Sequence, residues 1–198
     1  MSNLKGSKTL NNLMKAFAGE SQARNRYTYY ASVAKKEGFN QISDIFLTTA
    51  ENEKEHAKVF FKHIDSGLGG THEGVPIEIT ATYPVAYGST YENLIAAAAG
   101  EREEWSQIYQ NFAETAEQEG FRDVAASFRM IAKVEAHHEA RYLKLAENVK
   151  KDQVFSKPTA TAWICGNCGY VHEGMSAPEI CPACKHPKAY FELLCDNF

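Results

Sequence analysis

Two Glu-x-x-His motifs, Glu53/His56 and Glu135/His138, and two Cys-x-x-Cys pairs, Cys165/Cys168 and Cys181/Cys184, are the residues of this 198-residue chain whose types and spacing best suit chemistry. On a helix, residues three apart share a face, so each Glu-x-x-His offers a carboxylate and an imidazole to one metal ion. The cysteines read Cys-x2-Cys-x12-Cys-x2-Cys, a spacing that closes a tetrahedral four-thiolate site. Zn²⁺ and iron both fit it, so a redox centre and a zinc ribbon serving only for structure or docking are both open. Gly166 and Gly169 let the backbone turn around the sulfurs and aim N–H groups at them, which tunes a redox potential. Cys195 has no such partner and reads as a small, partly buried hydrophobe.

The helical motifs gain weight from the stripes they interrupt. Phe121, Val124, Phe128, Ile131, Tyr142 and Leu145 recur at three- and four-residue spacing, yet Glu135 and His138 hold the middle of that stripe. Glu53 and His56 do the same between Ile42 and Phe60, Glu101 and Glu104 between Leu94 and Phe112, and Glu20 between Leu10 and Tyr27. Burying an uncompensated carboxylate costs several kcal/mol. Of the cations only Arg24 lies near these stripes, and one arginine cannot balance five acids, whereas two divalent or trivalent metal ions can. One Glu from each of two helices (Glu20, Glu101) plus Glu-x-x-His from each of the other two is the ligand set of ferritin-like di-iron or di-manganese proteins. Glu104 adds an acid where the first half has Ala23. Tyr27 and Tyr109 fall two turns beyond Glu20 and Glu101, placed to donate to a metal-bound carboxylate or peroxide, or simply to fill the core. Glu51, Glu55, Glu103 and His137 point off the stripes, His63 lies near a helix end, and His72, His172 and His186 fall outside the bundle.

Helices must position these groups. The pattern predicts helix A over 8–37, B over 40–65, C over 89–119 and D over 121–149. A long crossover, extended over 75–80, joins the two αα-hairpins. The hairpins are repeats. Glu20 and Glu101 are 81 residues apart, but Tyr27/Tyr109, Glu37-Gly38-Phe39/Glu119-Gly120-Phe121 and Glu53/Glu135 are 82 apart. One extra residue therefore lies between Glu101 and Tyr109, and a π-bulge would absorb it. Residues 1–149 are thus expected to form a mainly α four-helix bundle, 150–161 (with Pro158) a linker, and 162–198 a small β/loop domain stapled by its cysteines.

Composition narrows the class. Hydrophobic residues at 44% and charged ones at 23% suit a soluble globular protein. The net charge of −4, without a basic segment, argues against nucleic acid. Neither a signal peptide nor a membrane span is expected, which points to the cytoplasm.

With both halves in view, the chain resembles the rubrerythrin family over nearly all its length. The bundle carries that ligand pattern, and the tail (Cys-x-x-Cys-Gly-Tyr, then Cys-Pro-x-Cys) looks rubredoxin-like. The resemblance implies a ferritin-like bundle with a carboxylate-bridged pair of iron ions and a third iron in the four-cysteine site, with zinc open in either. It implies reduction of hydrogen peroxide to water in oxidative-stress defence, with electrons from NAD(P)H passing through a separate rubredoxin-reductase-like donor. A homodimer or higher homo-oligomer is implied as well. Glu53 and Glu135 would bridge, Glu20 would be terminal on one ion, and Glu101 and His138 on the other. Glu104 and His56 would alternate on the first ion with redox state, and Tyr27 and Tyr109 match tyrosines near the site. Lys185 departs from the family's usual glycine, which puts the backbone at that corner in question. Ferroxidase activity, or a metal-binding role without catalysis, is the rival expectation.

Overall fold

Helix-forming sequence bounded by glycine turns gives long antiparallel helices. The computed structural model describes residues 3–70 and 74–195, so His72 lies outside the described residues. Helix α1 spans Lys8–Lys36 and α2 Asn40–Gly67; after the crossover come α3 (Thr90–Glu103), a π-helical turn (Glu104–Ile108), α4 (Tyr109–Gln118) and α5 (Arg122–Lys150). The π-turn falls where the repeat arithmetic requires an extra residue. There the Tyr109 backbone N–H donates to the Glu104 carbonyl, five residues back. The residues at 74–88 carry no regular strand.

Repeat symmetry governs how the hairpins close. Gly38 and Gly120 end α1 and α4 at φ +84° and +85°, a conformation that glycine adopts without penalty. The glutamate before each glycine then caps a helix of the other hairpin. Glu37 accepts from the Thr90 N–H at the start of α3, and Glu119 accepts from Lys8 and Thr9 at the start of α1. Each carboxylate satisfies donors that a helix start leaves free, and meets the positive end of its dipole. Ser89 and Glu92 add a capping box on α3.

Two apolar clusters fill the bundle on either side of its polar middle. One packs Leu13, Phe60, Tyr109 and Phe128; the other packs Tyr27, Tyr30, Phe46 and Tyr142.

The tail is a three-stranded antiparallel sheet ordered β2-β1-β3, from β1 (Ser156–Cys165), β2 (Val171–Ser176) and β3 (Phe191–Leu193). Half of the stretch expected as a linker is therefore strand, since α5 runs to Lys150 and β1 begins at Ser156. Pro158 is tolerated because β3 pairs only with residues 163–165 and the β2 register shifts between Ser156 and Thr161. Trp163 is fully buried under the sheet, and its indole N–H donates to the Gly174 carbonyl. Phe155 stacks on Phe39 at 6.1 Å, setting the tail against the α1–α2 turn. Cys195 is exposed, not the partly buried hydrophobe expected, because it follows the end of β3.

The two cysteine turns match each other. After Cys168 stands Gly169 at φ +76°, and after Cys184 stands Lys185 at φ +64°. The corner therefore keeps its geometry without glycine, at the cost of a left-handed non-glycine residue. Lys185→Gly is expected to raise the stability of the tail by about 0.5–1 kcal/mol, the left-handed penalty less the added freedom of the unfolded chain. Guanidinium unfolding of the metal-loaded chain checks this, and a lower midpoint would show that Lys185 is not strained.

Candidate metal centre

Four helices bring six ligand-type residues to the bundle's middle. Glu20 projects from α1, Glu53 and His56 from α2, Glu101 from α3, and Glu135 and His138 from α5; all are buried. They form two groups, Glu20–Glu53–His56–Glu135 and Glu53–Glu101–Glu135–His138, each with its ligand atoms within 4.8 Å of one another. Each hairpin supplies three residues of one group and lends one glutamate to the other. His56 Nδ1 lies 2.9 Å from Glu53 Oε2 and 2.9 Å from Glu135 Oε1. His138 Nδ1 lies 3.2 Å from Glu53 Oε1 and 2.8 Å from Glu135 Oε2. Glu53 and Glu135 thus face each group with a different oxygen.

These close approaches are not hydrogen bonds. Both Nδ1 atoms, both oxygens of Glu53 and Glu135, and Glu20 Oε2 and Glu101 Oε2 are buried without a hydrogen-bond partner. Such atoms are costly unless a cation collects them. Metal–ligand bonds of roughly 2.1 Å at right angles put neighbouring donor atoms about 3 Å apart, close to the spacings found. Arg24 offers no alternative, because it pairs with Glu51 at the surface.

Electrostatics agrees. Burial, then neighbouring carboxylates, pushes Glu20 and Glu101 well above the ordinary carboxylate value. Burial alone would lower His56, but Glu135 and Glu53 beside it hold the imidazole up at about 10. Without metal the centre therefore keeps protons where cations belong.

The tyrosines settle on carboxylates of the opposite hairpin. Tyr27 donates to Glu101 Oε1 at 2.6 Å, and Tyr109 to Glu20 Oε1 at 2.5 Å. Glu104 stands outside both groups, at the wall of a cavity of about 290 Å³ that Arg26, Tyr83, Tyr109 and Phe112 also line. Tyr83 comes from the crossover, and its hydroxyl donates to the Lys15 carbonyl. His63 meets Ser127, and Glu51, Glu55, Glu103 and His137 are exposed, as their helix positions require. Sequence reasoning passed over Glu139. It is buried at the flank of its helix's stripe, in line with the buried Ala125, Ala132 and Ala146, where a lone glutamate usually reaches water.

The second centre is the cysteine cluster. Cys165 and Cys184 sulfurs are 3.7 Å apart, as are those of Cys168 and Cys181. A tetrahedron with metal–sulfur bonds of roughly 2.3 Å has an edge of about 3.8 Å, so the four sulfurs are already set for one ion. The His186 backbone N–H holds Cys184 down at about 5. Tyr170's N–H favours the Cys168 thiolate too, but the other sulfurs outweigh it and push that thiol up to about 12.

The comparisons with known proteins agree with this geometry. A family profile described as Rubrerythrin matches residues 11–146, and one described as Rubrerythrin, rubredoxin-like domain, matches residues 163–192. The chain is 57% identical to Rubrerythrin-1 of Clostridium acetobutylicum, with all of both chains covered. It is 52% identical to the rubrerythrin of Nitratidesulfovibrio vulgaris, again over all of both. Among solved structures, partially reduced nigerythrin aligns with a TM-score of 0.63 at 31% identity, covering 98% of this chain and 92% of that one. A Desulfovibrio desulfuricans bacterioferritin at 21% identity shares the fold, with a TM-score of 0.64 over 74% of this chain and 82% of that one. A Glu/His di-iron centre in a ferritin-like bundle, a four-cysteine rubredoxin-like centre behind it, and identity above one half along the full chain lead to one assignment: the chain belongs to the rubrerythrin family.

Proposed function

We propose that this chain reduces hydrogen peroxide to water. The observation that carries this reading is the presence of both centres in one chain, with the tail seated against the bundle through Phe155 and Phe39. Iron handling by a ferroxidase needs no appended electron port. Iron held at the bundle centre would supply two-electron reducing chemistry toward peroxide, and iron held by Cys165, Cys168, Cys181 and Cys184 would supply single electrons to it. The chain's residues do the rest. Glu53 and Glu135, shared by both groups, would hold both ions, Glu20 would hold one, and Glu101 with His138 would hold the other. Tyr27 and Tyr109 fix Glu101 and Glu20 by donating to them, which favours the charged form a carboxylate takes as a metal ligand. The cavity beside Glu104 has room for a molecule the size of peroxide. Glu104 and His56 would both serve the Glu20-side ion, the carboxylate suiting the higher metal charge and the imidazole the lower.

Electrons reach the four-cysteine site from an NAD(P)H-dependent reductase, and the protein works as a homo-oligomer in the cytoplasm. Among the described residues no helix is long and apolar enough to cross a membrane.

Anaerobic stopped-flow absorption tests the reading. The fully reduced, iron-loaded chain is mixed with peroxide and, in parallel, with O₂. Ferric–thiolate bands of the tail that grow quickly with peroxide and much more slowly with O₂ are expected. Equal rates would point to a ferroxidase, and no bands to a zinc-filled tail.

A further inference from the structure

The two hairpins differ in three respects, and all three occur together. Only the second has an extra residue, taken up by the π-turn Glu104–Ile108. Only the second has an additional acid, Glu104. And only the second has a buried carboxylate directly after its ligand histidine: Glu139 follows His138, whereas Ala57 follows His56. That carboxylate is fully engaged. Glu139 Oε1 accepts from Arg102 Nε at 2.6 Å, and Glu139 Oε2 accepts from the Trp105 indole N–H at 2.6 Å. Arg102 follows Glu101, and Trp105 follows Glu104. Glu139 therefore grips the chain just before the wider turn and again at its start. In the first hairpin the position matching Arg102 is Ser21, whose hydroxyl returns to its own helix at the Phe17 carbonyl.

A π-turn is a rare, less stable form of helix, and an extra residue can be accommodated at several places along it. Moving the widening by one residue would rotate Glu104 about 100° around the axis and carry it off the cavity wall. Two charge-assisted bonds from one buried carboxylate, to donors three residues apart, oppose that movement.

We infer that Glu139 is a positioning residue that locks the π-turn in register and so keeps Glu104 aimed at the Glu20-side ion. This rests on the proposed role of Glu104 as a ligand. Glutamine at 139 keeps the shape but can accept from only one of the two donors, and phenylalanine at 105 removes one donor.

The test uses the full chain loaded with ⁵⁷Fe and oxidised by peroxide, with Mössbauer spectra of the parent, Glu104→Gln, Glu139→Gln and Trp105→Phe. The ferric bundle doublet that Glu104→Gln alters should also be altered in both other variants, with the second bundle doublet unchanged. The rate of bundle oxidation should fall roughly ten- to a hundredfold with the misplacement of Glu104. In metal-free protein, amide exchange should quicken across residues 101–109 in Glu139→Gln and Trp105→Phe. If Glu104→Gln alters a doublet and the clamp variants leave it at its parent value, Glu139 is merely structural and the inference is overturned. If Glu104→Gln alters neither doublet, the ligand role of Glu104 falls, and the clamp falls with it. Should Glu139→Gln fail to fold, Trp105→Phe decides by the same spectra.

Discussion

Replacing Cys181 with serine is expected to unfold the tail while leaving the bundle helical, and to reduce peroxide turnover driven by an external reductase to background. Cys181 is fully buried in a cluster with Trp163, Cys165, Ala177 and Phe191. That cluster is too small to hold a module of about 40 residues without a staple. Structural metal ions bound by cysteine contribute on the order of 10 kcal/mol to small folds, far more than such a core supplies. The substitution removes one of four sulfurs already spaced for a single ion, so metal affinity and fold are lost together. Far-ultraviolet circular dichroism should keep its helical signal, and limited proteolysis should cut first at Lys157, Lys185 or Lys188. A tail that stays resistant to protease would mean that the metal does not hold it.

The metal-free bundle is expected to lose stability as pH rises, and metal loading to flatten that dependence. Glu20 and Glu101 have folded-state values raised above the ordinary 4.5, so the native state keeps protons there that the unfolded chain releases. His56, raised from 6.5 to about 10, acts in the same direction, as does His138. The stability these groups contribute is complete below their unfolded values and is lost as pH climbs through the folded ones. Glu53 acts oppositely. Burial would raise it, but His138 and His56 hold it down, so its contribution is lost on acidification through its lowered value. The window of decline therefore opens near pH 4.5 and extends to about 10, with the maximum at its acid end. Each extra proton held by the native state steepens the fall by about 1.4 kcal/mol per pH unit. Urea unfolding of chelated and iron-loaded protein at roughly pH 5, 7 and 9 measures the slopes. Metal-free stability that increases across that range would show that the carboxylates are not held protonated. Once metal replaces the protons, the linkage should largely vanish.

The bundle and its centre were legible because glutamates on apolar stripes contradict the stripes' purpose, and a contradiction repeated at matching positions calls for a common cation. The π-turn was legible from repeat spacing, since one residue more in an otherwise matching register must bulge somewhere between Glu101 and Tyr109. Periodicity could not show which carboxylate each phenol reaches, because Tyr27 and Tyr109 donate across hairpins. Glu139 escaped for a related reason: it lies at the flank of its stripe, in line with the buried Ala125, Ala132 and Ala146, and its partners Arg102 and Trp105 come from a different part of the chain. In the tail, the polar run 156–161 lacks the alternation that marks a strand, and its burial does not alternate either; it is drawn into β1 by pairing with β2 at Ser156 and Thr161. Lys185 stands out because it departs from the family's usual glycine, but its tolerance is clear only beside Gly169 in the matching turn.

The sharing of Glu53 and Glu135 between the two groups has a consequence for assembly. Neither helical hairpin can complete an ion's shell by itself, so each ion is a latch between them, and the free energy of metal uptake becomes free energy of docking one hairpin on the other. The latch recognises hairpins and is indifferent to which molecule they come from. What favours a partner from the same chain is the tether, the crossover at 68–89, which keeps the second hairpin at a high effective concentration beside the first. Monomer closure and reciprocal exchange between two chains therefore use the same metal chemistry, and the length of that tether decides between them.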